Sequence, residues 1–216
     1  MTYELCPVSG ESPQEEKINH WTHLIGLLFS LMGFPFLIIY SSKYGDVWQV
    51  TGYIIYGITL ILLFFASTYY HGCKKIQRKG TLKILDHACI YLLIAGSYTP
   101  FTLGPLREST GMILLSIEWT IAVVGILFKI YTINRFHMLS LITYLLMGWL
   151  VIVSWSTLMA ALSPLAVGLL CAGGLCYTLG AVFFVWNSLP FNHGIWHVCV
   201  LGGSVSHYFA IMTLLV

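Results

Sequence analysis

Two histidines near the end of the chain, His193 and His197, have a spacing that suits metal binding. Residues four apart lie on one face of a helix with Cβ atoms roughly 6 Å apart, so both imidazoles could bind the same ion. The pair opens the last long apolar segment of the sequence. Such spacings also occur by chance, so a metal site here needs further ligands from other helices.

Three more polar residues are candidates for the same site. His71 ends the second apolar segment, Ser67 lies four residues before it on the same helix face, and Asp86 opens the third segment. Three imidazoles and one open position are typical of catalytic zinc, whereas a structural site has four protein ligands. We therefore predict Zn²⁺ as the cofactor, with Asp86 taking a hydrogen bond or a proton from water at the open position.

The elements that carry these residues are predicted to be transmembrane helices. The chain has 216 residues, of which 58% are hydrophobic and only 8% are charged, whereas about 25% of the residues in a soluble domain are charged. A helix of about 20 apolar residues crosses a bilayer. The sequence therefore predicts an all-α integral membrane protein, a bundle of seven transmembrane helices at 20–40, 48–71, 86–104, 111–131, 137–158, 163–186 and 193–216.

Residues 20–216 are expected to form a single transmembrane domain, preceded by a short cytoplasmic segment, 1–19. That segment is polar and acidic, with Glu4, Glu11, Glu15 and Glu16, and it lacks the features of a signal peptide. The longest loop is expected between Gly72 and Leu85.

The basic residues predict the orientation of the bundle. Seven crossings put eight of the ten lysines and arginines on the side of the N-terminus, and such an excess marks the cytoplasmic side. We therefore expect a multi-pass protein of the cell membrane with a cytoplasmic N-terminus and with Val216 outside. The candidate ligands and Asp86 would then meet at the cytoplasmic end.

The depth of this site favours a lipid substrate. Asn192 is a candidate N-cap that would start the last helix at His193, and His197 lies about 6 Å further along the axis. The site would therefore lie just below the headgroups, where lipid amide and ester linkages are found. The basic residues between 74 and 83 are expected to contact anionic headgroups rather than nucleic acid.

Several short motifs, which together extend along nearly the whole chain, point to one protein family. They are Glu16-x-x-Asn19-x-x-Thr22-His23, Ser67-x-x-x-His71, Asp86, Gly96-Ser97-Tyr98-Thr99-Pro100-Phe101, His193-x-x-x-His197, Gly203 and His207. With them the sequence resembles the haemolysin III family, the bacterial branch of the progestin and adipoQ receptor family, which includes the adiponectin receptors.

The resemblance implies a seven-helix fold with a cytoplasmic N-terminus and zinc bound by His71, His193 and His197. It also implies that Asp86 lies beside the zinc-bound water, with Ser67 nearby, and that the protein acts as a ceramidase-like amidase or esterase in membrane-lipid homeostasis. Two alternatives stay open: a non-enzymatic sensor or receptor with structural zinc, and a pore-forming haemolysin. The short N-terminal segment argues against hormone reception.

Other ionisable residues are expected to lie outside the site. His207 follows His193 by 14 residues, about 21 Å along a helix, so it cannot bind the same ion. We expect it to join a polar network with His23 or Tyr98. Glu118 has no predicted role. Helix capping explains Glu16, Asn19 and Thr22 as well as chemistry does, and interfacial positions explain His20, His87 and His137.

Overall fold

The computed structural model describes residues 5–133 and 135–215. Two residues named in the sequence predictions, Glu4 of the acidic segment and Val216 at the C-terminus, lie outside these ranges. The described residues are helical through most of their length, and no strand occurs among them.

The helices form seven rods in sequence. Their bounds are Pro13–Tyr44 (α1), Val47–Gly72 (α2), Ile76–Leu103 (α3), Met112–Thr132 (α4), His137–Trp149 (α5), Trp155–Ala161 (α6), Pro164–Val185 (α7) and Asn192–Met212 (α8). A π-helical turn, Arg107–Gly111, leads into α4, and a 3₁₀ segment, Leu150–Ser154, joins α5 and α6 into one rod.

Six of the seven rods are long and apolar enough to cross a membrane. The remaining rod, α3, has a lower average hydropathy because its first turns carry several basic residues and its second half is rich in Ser, Thr, Gly and Pro. It packs between α2 and α4, where most of its second half is buried. The all-α transmembrane bundle is confirmed, and the chain is a multi-pass membrane protein.

The rods close into a ring. Each of the first four packs against the next, α7 packs on α8, and α8 returns to α1. The first and last helices are therefore neighbours. At one end this ring brings together the start of α1, the end of α2 and the start of α8.

The loop predicted between Gly72 and Leu85 is wrong. The helix α3 begins at Ile76, so Asp86 lies well inside it rather than opening it. Hydropathy marks only the part of a helix that lies in hydrocarbon. The polar turns from Ile76 to Leu85 belong to the same helix, but their low hydropathy does not reveal them. In the same way, α1 begins at Pro13, before the apolar segment, behind a capping box formed by Ser12 and Glu15.

The predicted cap at Asn192 is also wrong. The helix α8 begins at Asn192 itself, and the residue before it, Phe191, adopts a left-handed conformation with φ of 57°. The Asn192 side chain instead donates to the Phe184 carbonyl at the end of α7, at 3.2 Å. The Glu15 carboxylate accepts the Phe191 backbone N–H at 3.3 Å. The start of α8 is therefore held from α7 and α1.

Tyr98 supports the break between α5 and α6. Its buried hydroxyl shares its one proton between the carbonyls of Met147 and Gly148, both at 2.9 Å, and accepts the Val151 N–H at 2.8 Å. Backbone groups released by a break in a transmembrane helix need such partners because hydrocarbon offers none. The break therefore depends on one side chain of α3.

We expect Tyr98→Phe to destabilise the protein by about 1–3 kcal/mol, because buried backbone groups at the break lose their hydrogen-bond partner. The measurement is thermal unfolding of the purified protein in detergent. Tyr131→Phe removes the same hydroxyl from an 84% exposed side chain and serves as the matched control. Equal melting temperatures for both variants would show that Tyr98 does not support the break.

Candidate metal centre

The structure brings together the three histidines named from the sequence. His71 lies in the last turn of α2, and His193 and His197 lie in the first turns of α8. The His71 ring centroid is 5.0 Å from each of the other two, which are 4.7 Å apart. One nitrogen of each ring lies within 4.8 Å of the others, so the group could hold a metal ion.

Two of these imidazoles are oriented by carboxylates from the N-terminal part of the chain. His71 Nδ1 lies 2.9 Å from Glu16 Oε2, and His193 Nδ1 lies 3.1 Å from Glu11 Oε1. Metal-binding histidines commonly bind a carboxylate or a carbonyl through the second ring nitrogen, which fixes the tautomer and the ring orientation. Each carboxylate therefore orients its histidine ring by bonding to the nitrogen that faces away from the site.

His197 is held by the backbone of α1 instead. Its Nδ1 lies 3.2 Å from the Asn19 carbonyl and 3.2 Å from the Thr22 hydroxyl. The ring of His23 stacks on it with a centroid distance of 3.5 Å and an interplanar angle of 14°. Asn19, Thr22 and His23 of the α1 motif thus fix one imidazole.

The remaining nitrogens fit a metal ion. The Nε2 atoms of all three histidines are buried and have no hydrogen-bond partner among the described residues. A buried polar atom without a partner is costly, and three such atoms in one group are rare in a folded protein. Neutral imidazole nitrogens are good ligands for zinc and other late transition metals. The donor set therefore suits such an ion, whose identity stays a prediction.

Asp86 and Ser67 are both buried beside this group. The Asp86 carboxylate is near the His193 ring and the Ser67 hydroxyl. Ser67 is fully buried, and its hydroxyl has no hydrogen-bond partner within the described ranges. The structure thus places the aspartate and the serine at the site, while their catalytic roles stay predictions.

Of the two explanations left open for Glu16, Asn19 and Thr22, helix capping is excluded. The capping box is formed by Ser12 and Glu15, and Glu16 bonds to His71. Glu16 also pairs with the buried Lys79 of α3, at 3.0 Å, and accepts the Ser9 hydroxyl.

Sequence reasoning missed Glu11, His23 and Lys79 as parts of this centre. The spacing of Glu16, Asn19 and His23 could have revealed His23, because the three recur on one face of a helix. For Lys79 the sequence carries no such signal, because the polar residues around it predict a loop. Glu11 lies before the helix, and its proximity to His193 depends on the tertiary fold.

An apolar cavity leads away from the metal centre into the bundle. Asp86 and His23 line one end of it and His207 the other, between α3, α5, α7 and α8. A second cavity shares Ser97, Tyr98 and His207 with the first and continues along α6. Between Trp196 and His207 the lining follows α8 for roughly 16 Å. This space could hold a hydrocarbon chain.

His207 is absent from the group that could bind the metal. Its predicted partners are wrong, however, because Nε2 contacts the Leu170 carbonyl at 3.2 Å and the ring packs against Tyr177. His23 stacks on His197 instead. Glu118 is fully buried, and within the described ranges neither of its carboxylate oxygens has a hydrogen-bond partner.

Known proteins identify the family of this chain. The sequence model of the family described as "Haemolysin-III related" matches residues 12–208, a range that includes every residue of the centre except Glu11. The chain belongs to the haemolysin III-related family. This membership confirms the resemblance stated from the motifs.

Three relatives of this haemolysin III-related protein match it nearly end to end. The hemolysin-3 homolog of Bacillus subtilis is 44% identical over 199 residues, which cover 92% of this chain and 93% of the relative. Hemolysin-3 of Bacillus cereus is 45% identical over 92% of this chain and 91% of its own length. The human monocyte to macrophage differentiation factor is 32% identical over 91% and 83% of the two lengths.

We expect Glu11→Ala to weaken metal binding by about 10–100-fold, the loss typical for removal of the partner of a ligating histidine. The affinity is measured by titrating the metal-free protein with Zn²⁺ against a chelator of known affinity. Glu108→Ala is the matched control because that side chain is 88% exposed and lies at the opposite end of the bundle. Equal affinities for the two variants would contradict the orienting role of Glu11.

Proposed function

We propose that this haemolysin III-related protein is a zinc-dependent hydrolase that cleaves an amide or ester bond of a membrane lipid. The observation that carries the proposal is the group of three buried Nε2 atoms beside Asp86, where the apolar cavity begins. A ligand set with three histidines leaves a position for water or substrate. The cavity offers space for the hydrocarbon chain of a lipid whose linkage lies at the metal.

The groups around the site have different roles in the proposed hydrolysis. A bound Zn²⁺ would polarise the lipid carbonyl and acidify water. Asp86 is positioned to accept a proton from the attacking water and to return it to the nitrogen or oxygen of the leaving group. The start of α8 adds partial positive charge near the developing oxyanion. Ser67 is a candidate hydrogen-bond donor to the same oxygen.

We expect Asp86→Asn to lower lipid hydrolysis by about 10²–10⁴-fold, because the amide cannot accept the proton. The protein is loaded with zinc, incubated with a ceramide and with a glycerolipid ester, and the products are quantified by mass spectrometry. Zinc content is measured on the same samples.

The zinc content distinguishes loss of the base from loss of the metal. The proposal requires an inactive variant that keeps its zinc. His197→Gln, which removes one ligand, should lose both zinc and activity. If the zinc-loaded wild type released no product from either lipid, hydrolysis of these linkages would be contradicted, and the sensor with structural zinc would be favoured.

A pore is the weaker alternative. The two Bacillus relatives are named hemolysin-3, a name that describes lysis of blood cells. A pore through the bundle needs a polar lining along its whole length. The cavities between these helices are lined mainly by apolar side chains, with the ionisable groups concentrated at the metal end.

We further propose that the metal centre lies at the cytoplasmic end of the bundle, as the excess of basic residues at that end indicates. Alkaline phosphatase fused after Val216 is then expected to be active, because it folds only outside the cytoplasm. A fusion in the loop between α2 and α3 is the internal control and should be inactive. The reverse pattern would place the site on the outer face.

A further inference from the structure

Four basic side chains from three helices meet beside the metal centre but are not part of it. Lys83 and His87 lie one turn apart on α3, Lys129 lies in the last turn of α4, and His137 is the first residue of α5. We call these four residues the basic pocket. The rings of His87 and His137 are 6.4 Å apart, and both lysines are close enough to act electrostatically on both rings.

Lys129 is the unusual member of the basic pocket. The residue is only 1% exposed, yet among the described residues its ammonium takes part in none of the ion pairs. Burial of an unpaired ammonium is strongly unfavourable, so such groups are normally found with a counter-ion. A nearby positive charge, that of Lys83, adds to the cost.

No described carboxylate forms an ion pair with a residue of the basic pocket. Glu11 and Glu16 contact the histidines of the metal centre, while Asp46 and Glu108 pair with Arg107 at the other end of the bundle. Lys83 donates to a backbone carbonyl, that of Val8, at 2.9 Å. The two lysines of the pocket therefore have no ion-pair partner in the described part of the chain.

The start of α5 adds a further positive element. Phe136 precedes it in a left-handed conformation with φ of 56°, and no side chain caps the helix. The first N–H groups of a helix lack intrahelical partners, and its dipole attracts anions to this end. In this helix of 13 residues, His137 occupies that position. The start of α5 therefore lies beside the basic pocket through His137.

We propose that the basic pocket binds a phosphate group, either from the headgroup of an anionic lipid or from free phosphate. A phosphate carries its charge on several oxygens and can accept hydrogen bonds from donors on three helices at once. A phosphate ligand also suits the position of the pocket, which lies at an end of the bundle, at the depth of the lipid headgroups. The inference concerns a site separate from the metal centre and does not depend on hydrolysis.

The test compares two sources of phosphate on the purified full chain. The protein is placed in phosphatidylcholine nanodiscs in phosphate-free buffer, and its thermal unfolding is followed during titration with inorganic phosphate. A second series replaces part of the phosphatidylcholine by phosphatidylglycerol at constant ionic strength. We expect the melting temperature of the wild type to rise saturably in at least one series. A rise with inorganic phosphate assigns a site for the free anion, and a rise with phosphatidylglycerol alone assigns a headgroup site.

Lys129→Met is expected to weaken this phosphate effect at least about tenfold, the usual result of losing one charge-assisted hydrogen bond. In phosphatidylcholine nanodiscs without added inorganic phosphate or phosphatidylglycerol, the same variant should melt above the wild type, because it removes a buried charge that has no ion-pair partner. Lys129→Arg should keep the phosphate effect. Lys74→Met, which removes a charge from an exposed residue at the same end, is the matched control.

A wild type whose melting temperature rises in neither series would overturn the proposal, and so would two outcomes with the variants. One is an unchanged phosphate effect in Lys129→Met, and the other is an equal loss in Lys74→Met, which would reveal general surface electrostatics. If Lys129→Met does not fold, the exposed His137 is replaced by glutamine in its stead. The proposal then requires a severalfold weaker phosphate effect in that variant, and wild-type behaviour would contradict it.

Discussion

The metal centre depends on hydrogen bonds that face away from it. Each of the three histidines is bonded through Nδ1 to α1 or to the segment before it: His71 to Glu16, His193 to Glu11 and His197 to the Asn19 carbonyl. These bonds decide which nitrogen remains free and where it points. Without them, imidazoles on two helices would be free to rotate, and the three Nε2 atoms would not meet.

The same contacts account for the acidic residues of the N-terminal part of the chain. Carboxylates are costly at a membrane boundary unless they are paired, and here Glu16 is shared between His71 and the buried Lys79. Lys79 therefore neutralises Glu16, the carboxylate that orients His71. Lys129, in contrast, has no such carboxylate, which distinguishes the basic pocket from the metal centre although both lie at one end of the bundle.

Much of the fold and part of the site could be predicted from the sequence. Hydropathy gave the seven rods, and helix periodicity with alternate crossing brought His71, His193, His197 and Asp86 to one end. The boundaries could not be predicted in the same way, because the polar start of α3 carries no apolar signal. The roles of Glu11 and Lys79 depend on which helices are neighbours in the ring, and a single sequence does not contain that information.

The closure of the ring has a consequence for how the protein is made. The carboxylates that orient the ligands lie in α1 or just before it, and two of the three ligands come from α8, which is synthesised after α1 to α7. A chain interrupted before α8 holds only His71 and has no site to load. Binding of a metal at this centre would therefore require that all the helices from α1 to α8 have been synthesised and inserted, and a cell could use it to distinguish such molecules from shorter fragments.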